Sequence, residues 1–421
     1  MQSHLDMVHQ KNADTKFDFA KEGIKMFVEG DWVKAEGTTL GADNGIGVAS
    51  IMTILASKDI AHPALEGLFT IDEETGMTGA LQLKGGLLNG KILLNLDTED
   101  DDELTIGCAG GTDVIAQGTY KSKAVPDTWR GFKIGVTGLT GGHSGMDIIK
   151  GRGNANKLMN RILYQAAEQF KIRIVEIDGG SLRNAIPRES FATIAISSRK
   201  LKAFKKFIKE QSVILKAENQ TTDPDLNLAI EEIATPKEAV EKRFQAHLLR
   251  TIYGCPNGIH RMSPSIEGLV QTSNNLARVE VKNGKYSIQN LTRSSVDSEK
   301  DDHARSIAAT FELLGAKVVL EGEYPGWEPK PDASIIKVMR GIYKDMFKEE
   351  PHVNAVHAGL ECGILGTHYP DMEMISFGPN IRGAHSPDEK CQISSVQKYC
   401  CLLYTSPSPR DATLSRMPSS A

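Results

Sequence analysis

No stretch of this chain runs apolar for the roughly 18 residues a membrane-crossing helix requires. The first twenty residues, MQSHLDMVHQKNADTKFDFA, lack the apolar core of a secretory signal. Positive charge is not in excess. Lys and Arg number 49 against 54 Asp and Glu, and the net charge of -5 leaves no basic footprint for nucleic acid. Thiols are few. Cys108, Cys255, Cys362, Cys391, Cys400 and Cys401 show no Cys-x-x-Cys spacing and read as scattered reduced thiols of a cytoplasmic protein. What remains, 40% hydrophobic and 24% charged, is the make-up of a soluble globular protein. At 421 residues the chain exceeds one ordinary core, so two or more domains are expected.

Short apolar runs alternate with helical patterns. ALEGLFTI (64–71) and KILLNLD (91–97) read as buried parallel strands, and GIGVASIMTILAS (45–57) as a helix against them. This α/β layer returns after about residue 325, with a helix at 334–347 and a strand at 371–379. Between these parts the pattern changes. Segments 132–139, 171–180 and 189–197 alternate apolar and polar residues, as half-exposed antiparallel strands do, with helices at 154–170 and 200–217. A second, similar block holds 277–294, with a hairpin at Asn283-Gly284, and a helix over 301–316. The simplest account is a discontinuous α/β domain, residues 1–110 and 323–403, with a mixed, mostly parallel sheet. An α+β domain, residues 111–322, interrupts it. Residues 404–421, rich in Ser, Pro and Arg, read as a disordered and foreign tail.

Five side chains stand out in their order and local setting: His4, Asp43, Glu74, Asp97 and His385. His and carboxylate ligands without thiolate suit a hydrolytic zinc pair rather than a structural zinc, and one carboxylate could bridge two cations. In His4-Leu5-Asp6, residues two apart on a strand point the same way, so Asp6 could fix the His4 tautomer. Asp43 sits among glycines before a helix; it suits a bridging carboxylate or a plain N-cap. Asp72-Glu73-Glu74 places three acids at a strand end. Glu74 fits a ligand and Glu73 a general base, against the reading of a solvated acidic turn. Asp97 closes an apolar strand beside them, while Asp100, Asp101, Asp102 and Glu103 read as a solvated acidic loop. His143, within Gly-Gly-His-Ser-Gly, and His385, before Ser-Pro, are loop histidines. Each motif alone has a bland reading; the set in this order points to metal-assisted hydrolysis.

HLDMV, GTTLGADNGIG, EETGM, NLDTED, GCAGG, GGHSG, GGSLRNAIPRE, YPGW, HAGLECG and HSPDE resemble the bacterial cytosolic aminoacyl-histidine dipeptidases. These Xaa-His dipeptidases (peptidase D) belong to the aminoacylase/carboxypeptidase G clan of dizinc peptidases. The resemblance runs from about residue 2 to 403. It implies a zinc-peptidase catalytic domain with an inserted lid and dimerisation domain, two Zn2+ ions that Co2+ or Mn2+ could replace, and a homodimer. His4, Glu74, Asp97 and His385 would be ligands, Asp43 the bridge across a cis Asp43–Asn44 peptide, and Asp6 the orienter of His4. Zinc-bound hydroxide would attack the dipeptide, with Glu73 as base and then acid. His143 would hydrogen-bond the oxyanion, and in dimeric relatives it comes from the other subunit. Asn184 and Arg293 would hold the substrate carboxylate, and Glu361 would sense the free amine. The alternatives are an N-acyl amino acid deacylase or an inactive metal-binding fragment. Family members carry several dozen residues before HLDMV, so the sheet is expected to lack a strand beside His4.

Overall fold

The computed structural model describes residues 1–406. The chain divides into two compact units, Met1–Cys108 with Pro325–Ala421, and Ala109–Tyr324.

The first unit is built on a six-stranded sheet. Its order is His352–Val356, Glu103–Cys108, Glu373–Ser376, Ile92–Asn95, Gln2–His4, Leu68–Thr70. Neighbours run parallel, except that Glu373–Ser376 meets Glu103–Cys108 antiparallel. The Gln2–His4 strand is paired on both sides, to Leu68–Thr70 and to Ile92–Asn95, which corrects the expected gap beside His4. The free edge lies one strand further out, at Leu68–Thr70. Gln2, Ser3 and His4 are all buried, as an interior strand demands. The helix Ala42–Ala56 buries Ile51 and Ile54. The last helix, Ile393–Thr405, buries Tyr399, Leu402 and Leu403, so residues 404 and 405 are helical and not the start of a tail. The rest of the expected tail, residues 407–421, lies outside the described residues.

Asp100–Glu103 is solvated only in part, at Asp100 and Asp102. Asp101 is 14% exposed, pairs with Lys398 at 2.8 Å and accepts from Asn380 Nδ2 at 3.2 Å. Asp100 pairs with Arg382, and Glu103 opens a sheet strand. Partners distant in sequence neutralise two of the four acids, Asp100 and Asp101.

The second unit is a nine-stranded antiparallel sheet. The helices Ala155–Phe170, Leu201–Asn219, Lys242–Gly254 and Asp297–Glu312 accompany it. Its core gathers Phe132, Ile134, Leu163, Phe204, Leu248, Ile288 and Phe311. Asn283 and Gly284 both have positive φ, 53° and 75°, as a tight hairpin with a mirror-type turn requires. The alternation expected from residue 277 is present over 277–282, and the same strand, Val270–Lys282, begins earlier with a stretch buried along residues 270–277. Its polar positions are hydrogen-bonded inside the layer rather than solvated. Asn274 donates to the Pro256 carbonyl at 2.8 Å, and Asn275 to the Arg183 and Ala185 carbonyls at 3.1 and 2.8 Å.

Candidate metal centre

The sheet of the first unit delivers its acidic and histidine side chains from the carboxyl ends of parallel strands, where open α/β sheets place their sites. His4 ends the Gln2–His4 strand, Glu73 and Glu74 follow Leu68–Thr70, and Asp97 follows Ile92–Asn95. Asp43 enters from the first turn of the Ala42–Ala56 helix, where its backbone is not yet helical and its bond to Asn44 is cis. His385 comes from the loop after Ile381–Arg382.

Asp43 stands between the two histidines and offers one oxygen to each. His4 Nε2 lies 3.2 Å from Asp43 Oδ1 and 3.3 Å from Asp97 Oδ1. His385 Nε2 lies 3.2 Å from Asp43 Oδ2 and 3.0 Å from Glu74 Oε2. The five side chains thus form two His–carboxylate pairs that share Asp43. His4, Asp43 and Glu74 each bring a ligand atom within 4.8 Å of the others. The other Glu74 oxygen, Oε1, is buried without a hydrogen-bond partner. Separations near 3.2 Å suit donors around one small cation, since ligands about 2.1 Å from a tetrahedral zinc lie about 3.4 Å apart. The residues present fit two such cations.

Burial opposes charge on His4, but hydrogen bonds with Asp43 and Asp97 outweigh it and carry its pKa up to about 12. Hydrogen bonds with Asp43 and Glu74 take His385 up to about 10. Burial likewise resists ionisation of Asp43, yet His385 and His4 together hold its carboxyl below the usual range. Burial, reinforced by the Asp97 charge, pushes Glu73 well up, which suits a group that must exchange a proton near neutral pH.

Without metal both rings carry two protons at pH 7, so a cation must displace one from each. The folded pKa values are raised. The His–carboxylate pairs therefore stabilise the metal-free protein fully below pH 6.5, and the His385 contribution is lost as pH rises through about 10. Metal affinity runs the other way and climbs with pH. Zinc titrated into metal-free protein at pH 7 in weak buffer is expected to release about two protons per chain. Binding with no proton release would overturn the protonated pairs.

Asp6 meets the free ring nitrogen of His4, with its backbone carbonyl nearer than its carboxylate. His4 Nδ1 donates to the Asp6 carbonyl at 3.0 Å, while the Asp6 carboxylate is 3.7 Å away. That carbonyl still fixes the tautomer and leaves Nε2 toward the centre. The Asp6 carboxylate instead accepts the backbone N–H groups of Glu73 and Glu74, each at 3.2 Å. It therefore shapes the turn that carries Glu73 and Glu74.

Sequence reasoning assigned no role to two other residues here. Glu389 is 3% exposed and accepts four consecutive N–H groups: Leu40 at 2.7 Å, Gly41 at 2.9 Å, Ala42 at 2.8 Å and Asp43 at 3.3 Å. A carboxylate at a helix start satisfies orphan donors and meets the positive end of the helix dipole. The Asp43 side chain, read as a possible N-cap, is thereby left for the histidines. Asn44 donates to Asp97 Oδ1. The Asp–Asn and Pro-Asp-Glu motifs were visible; their pairing across the chain was not. Glu361 is fully buried, takes hydrogen bonds from Gln2 and Thr70, both at 2.6 Å, and leaves Oε1 unpartnered. Burial lifts its pKa to about 7, against the Thr70 hydrogen bond.

The remaining candidates lie in the second unit. His143 Nδ1 accepts the N–H groups of Gly145 and Met146 at 3.2 and 3.0 Å, so in the neutral ring the proton sits on Nε2. Asp147 Oδ2 accepts the His143 N–H at 2.8 Å and pins the loop. Arg293 is 4% exposed, and its Nη2 lies 3.5 Å from His143 Nε2. Asn184 is exposed; its carbonyl accepts the Ser144 N–H at 2.7 Å, and among the described residues no hydrogen bond joins its side chain to Arg293. The structure thus brings His143 and Arg293 together, with the Asn184 backbone beside the His143 loop.

The profile of peptidase family M20/M25/M40 matches residues 1–406. The cytosol non-specific dipeptidase of Escherichia coli (strain K12) is 43% identical over 403 residues, 96% of this chain and 83% of that protein. The crystal structure of the aminoacylhistidine dipeptidase from Vibrio alginolyticus superposes with a TM-score of 0.87 at 42% identity, over 100% of this chain and 84% of that one.

Proposed function

Since the chain belongs to peptidase family M20/M25/M40, we propose that it is a metal-dependent dipeptidase whose substrates include Xaa-His dipeptides such as β-alanyl-histidine. The observation that carries this reading is the Asp43 carboxylate shared between the His4–Asp97 and His385–Glu74 pairs, with Glu73 on the same turn as Glu74. His4 and Asp97 would hold one divalent cation, Glu74 and His385 a second, and Asp43 both; the nitrogen and carboxylate donor set favours zinc. Such cations, when bound, acidify water and polarise a carbonyl. Glu73 takes the proton of the attacking water and returns it to the departing amine. His143 donates from Nε2 to the developing oxyanion, and Arg293, with Asn184, binds the substrate carboxylate. Glu361 Oε1, an acceptor without a donor, receives the free amine.

Similarity to the cytosol dipeptidase of Escherichia coli supports a cytoplasmic location. Resemblance to dimeric relatives supports a homodimer. The test is hydrolysis of glycyl-histidine, β-alanyl-histidine and an N-acetyl amino acid by purified protein, with zinc and again with chelator. Chelator-sensitive cleavage of the free-amine dipeptides is expected. Preference for the N-acetyl substrate would replace this reading by a deacylase, and zinc binding without any turnover by an inactive relative.

A further inference from the structure

Within the Ala109–Tyr324 unit, the Arg293 guanidinium is committed on one side only. Nη1 donates to the Tyr324 hydroxyl at 2.7 Å. Nη2 lies 3.5 Å from His143 Nε2, donor against donor, so the ring takes no hydrogen bond from it and Nη2 is left for another acceptor. Nε is buried and has no acceptor. The Nε–Nη2 edge is one of the faces by which a guanidinium grips a carboxylate with two parallel hydrogen bonds. Tyr324 occupies Nη1 and so turns that edge toward His143.

Tyr324 is itself held by more than this hydrogen bond. It pairs with Gly111, the residue that on its other flank pairs with Arg293. A Cβ at position 111 would come within 2.6 Å of the Tyr324 ring and hydroxyl oxygen, so only glycine lets the phenol lie across the strand. Lys300, 1% exposed, donates to the Tyr324 carbonyl at 3.0 Å and is balanced by Asp297 at 3.1 Å and Glu323 at 3.3 Å. A buried lysine, a glycine without side chain and a phenol thus converge on one guanidinium.

We propose that Tyr324 is a specificity-determining positioning residue, whose hydroxyl fixes the Arg293 fork to recognise the free carboxylate at the C-terminus of a short peptide. This rests on the dipeptidase reading for its choice of ligand but not on turnover. The test is calorimetric binding of glycyl-histidine and of its C-terminal amide to the zinc-loaded Glu73→Gln protein, in which hydrolysis is blocked. The parent is expected to prefer the acid over the amide by about 10- to 100-fold, as for a charged hydrogen-bonded pair. Adding Tyr324→Phe should cut that preference to about threefold or less and leave amide affinity nearly unchanged. Arg293→Ala should also remove the preference, and Tyr324→Phe should then add no further loss. A Tyr324→Phe protein that keeps the preference overturns the proposal. So does an equal fall in acid and amide binding, which marks a merely structural role, or a parent that does not discriminate. Discrimination by a protein whose wild type cleaves no dipeptide would sink the dipeptidase reading and leave this one standing.

Discussion

Replacing Glu73 by Gln is expected to lower dipeptide turnover by about 10³- to 10⁴-fold, the upper range for a lost general base, while zinc content stays at the wild-type level. Glutamine keeps the size and most of the packing of the residue but cannot accept a proton from water. Glu73 makes no hydrogen bond to His4, Asp43, Asp97 or His385, which are bound to one another, so its loss leaves the candidate ligands in place. The backbone N–H of residue 73 remains tied to Asp6 in either form, so the turn that carries Glu74 is retained. Steady-state rates together with metal analysis check this. A loss of less than about tenfold removes Glu73 as the base, and loss of zinc in parallel makes it a ligand or a support of one.

Glu389→Ala is expected to have the largest effect on stability of any exchange near the centre that touches no candidate ligand. Four N–H groups, two of them buried, lose one charged acceptor at once. Charged hydrogen bonds are worth about 1.5–3 kcal/mol each and do not add in full, so a loss of about 3–5 kcal/mol is expected in urea unfolding of the metal-free protein. Zinc affinity should fall with it, because the same N–H groups fix the turn that presents Asp43. Glu389→Gln retains one acceptor oxygen and should lie between the two. A Glu389→Ala protein of normal stability and zinc affinity would show that the turn holds its shape unaided.

The candidate ligands were legible in the sequence because each sits in its own short motif at a strand end, where the α/β layout already directs functional groups. The α/β layer interrupted by antiparallel strands was legible for a similar reason: the hydrophobic period changes within a few residues. Less legible were features that needed geometry at a strand terminus or a partner far along the chain. The Asp6 carbonyl comes nearer to His4 Nδ1 than the Asp6 carboxylate does, a detail set where the strand stops. The acidic run at 100–103 looked solvated because Arg382 and Lys398 lie some 280 to 300 positions away. Glu389 meets Asp43 across 346 positions, and nothing local marks the pairing. The alternation expected from residue 277 is seen over 277–282, while the asparagines just before it bond carbonyls within the layer.

The order of the candidate ligands along the chain sets when the centre can form during synthesis. His4, Asp43, Glu74 and Asp97 leave the ribosome first, then the whole of Ala109–Tyr324, and only afterwards His385 and the Glu389 that steadies Asp43. Until then one histidine is missing, the Leu40–Asp43 donors have no carboxylate, and the middle of the six-stranded sheet lacks Glu373–Ser376. A nascent chain arrested between residues 97 and 385 therefore carries four of the candidate ligands without the fifth, so if these residues hold two cations the pair of sites could close only after residue 385 has been added.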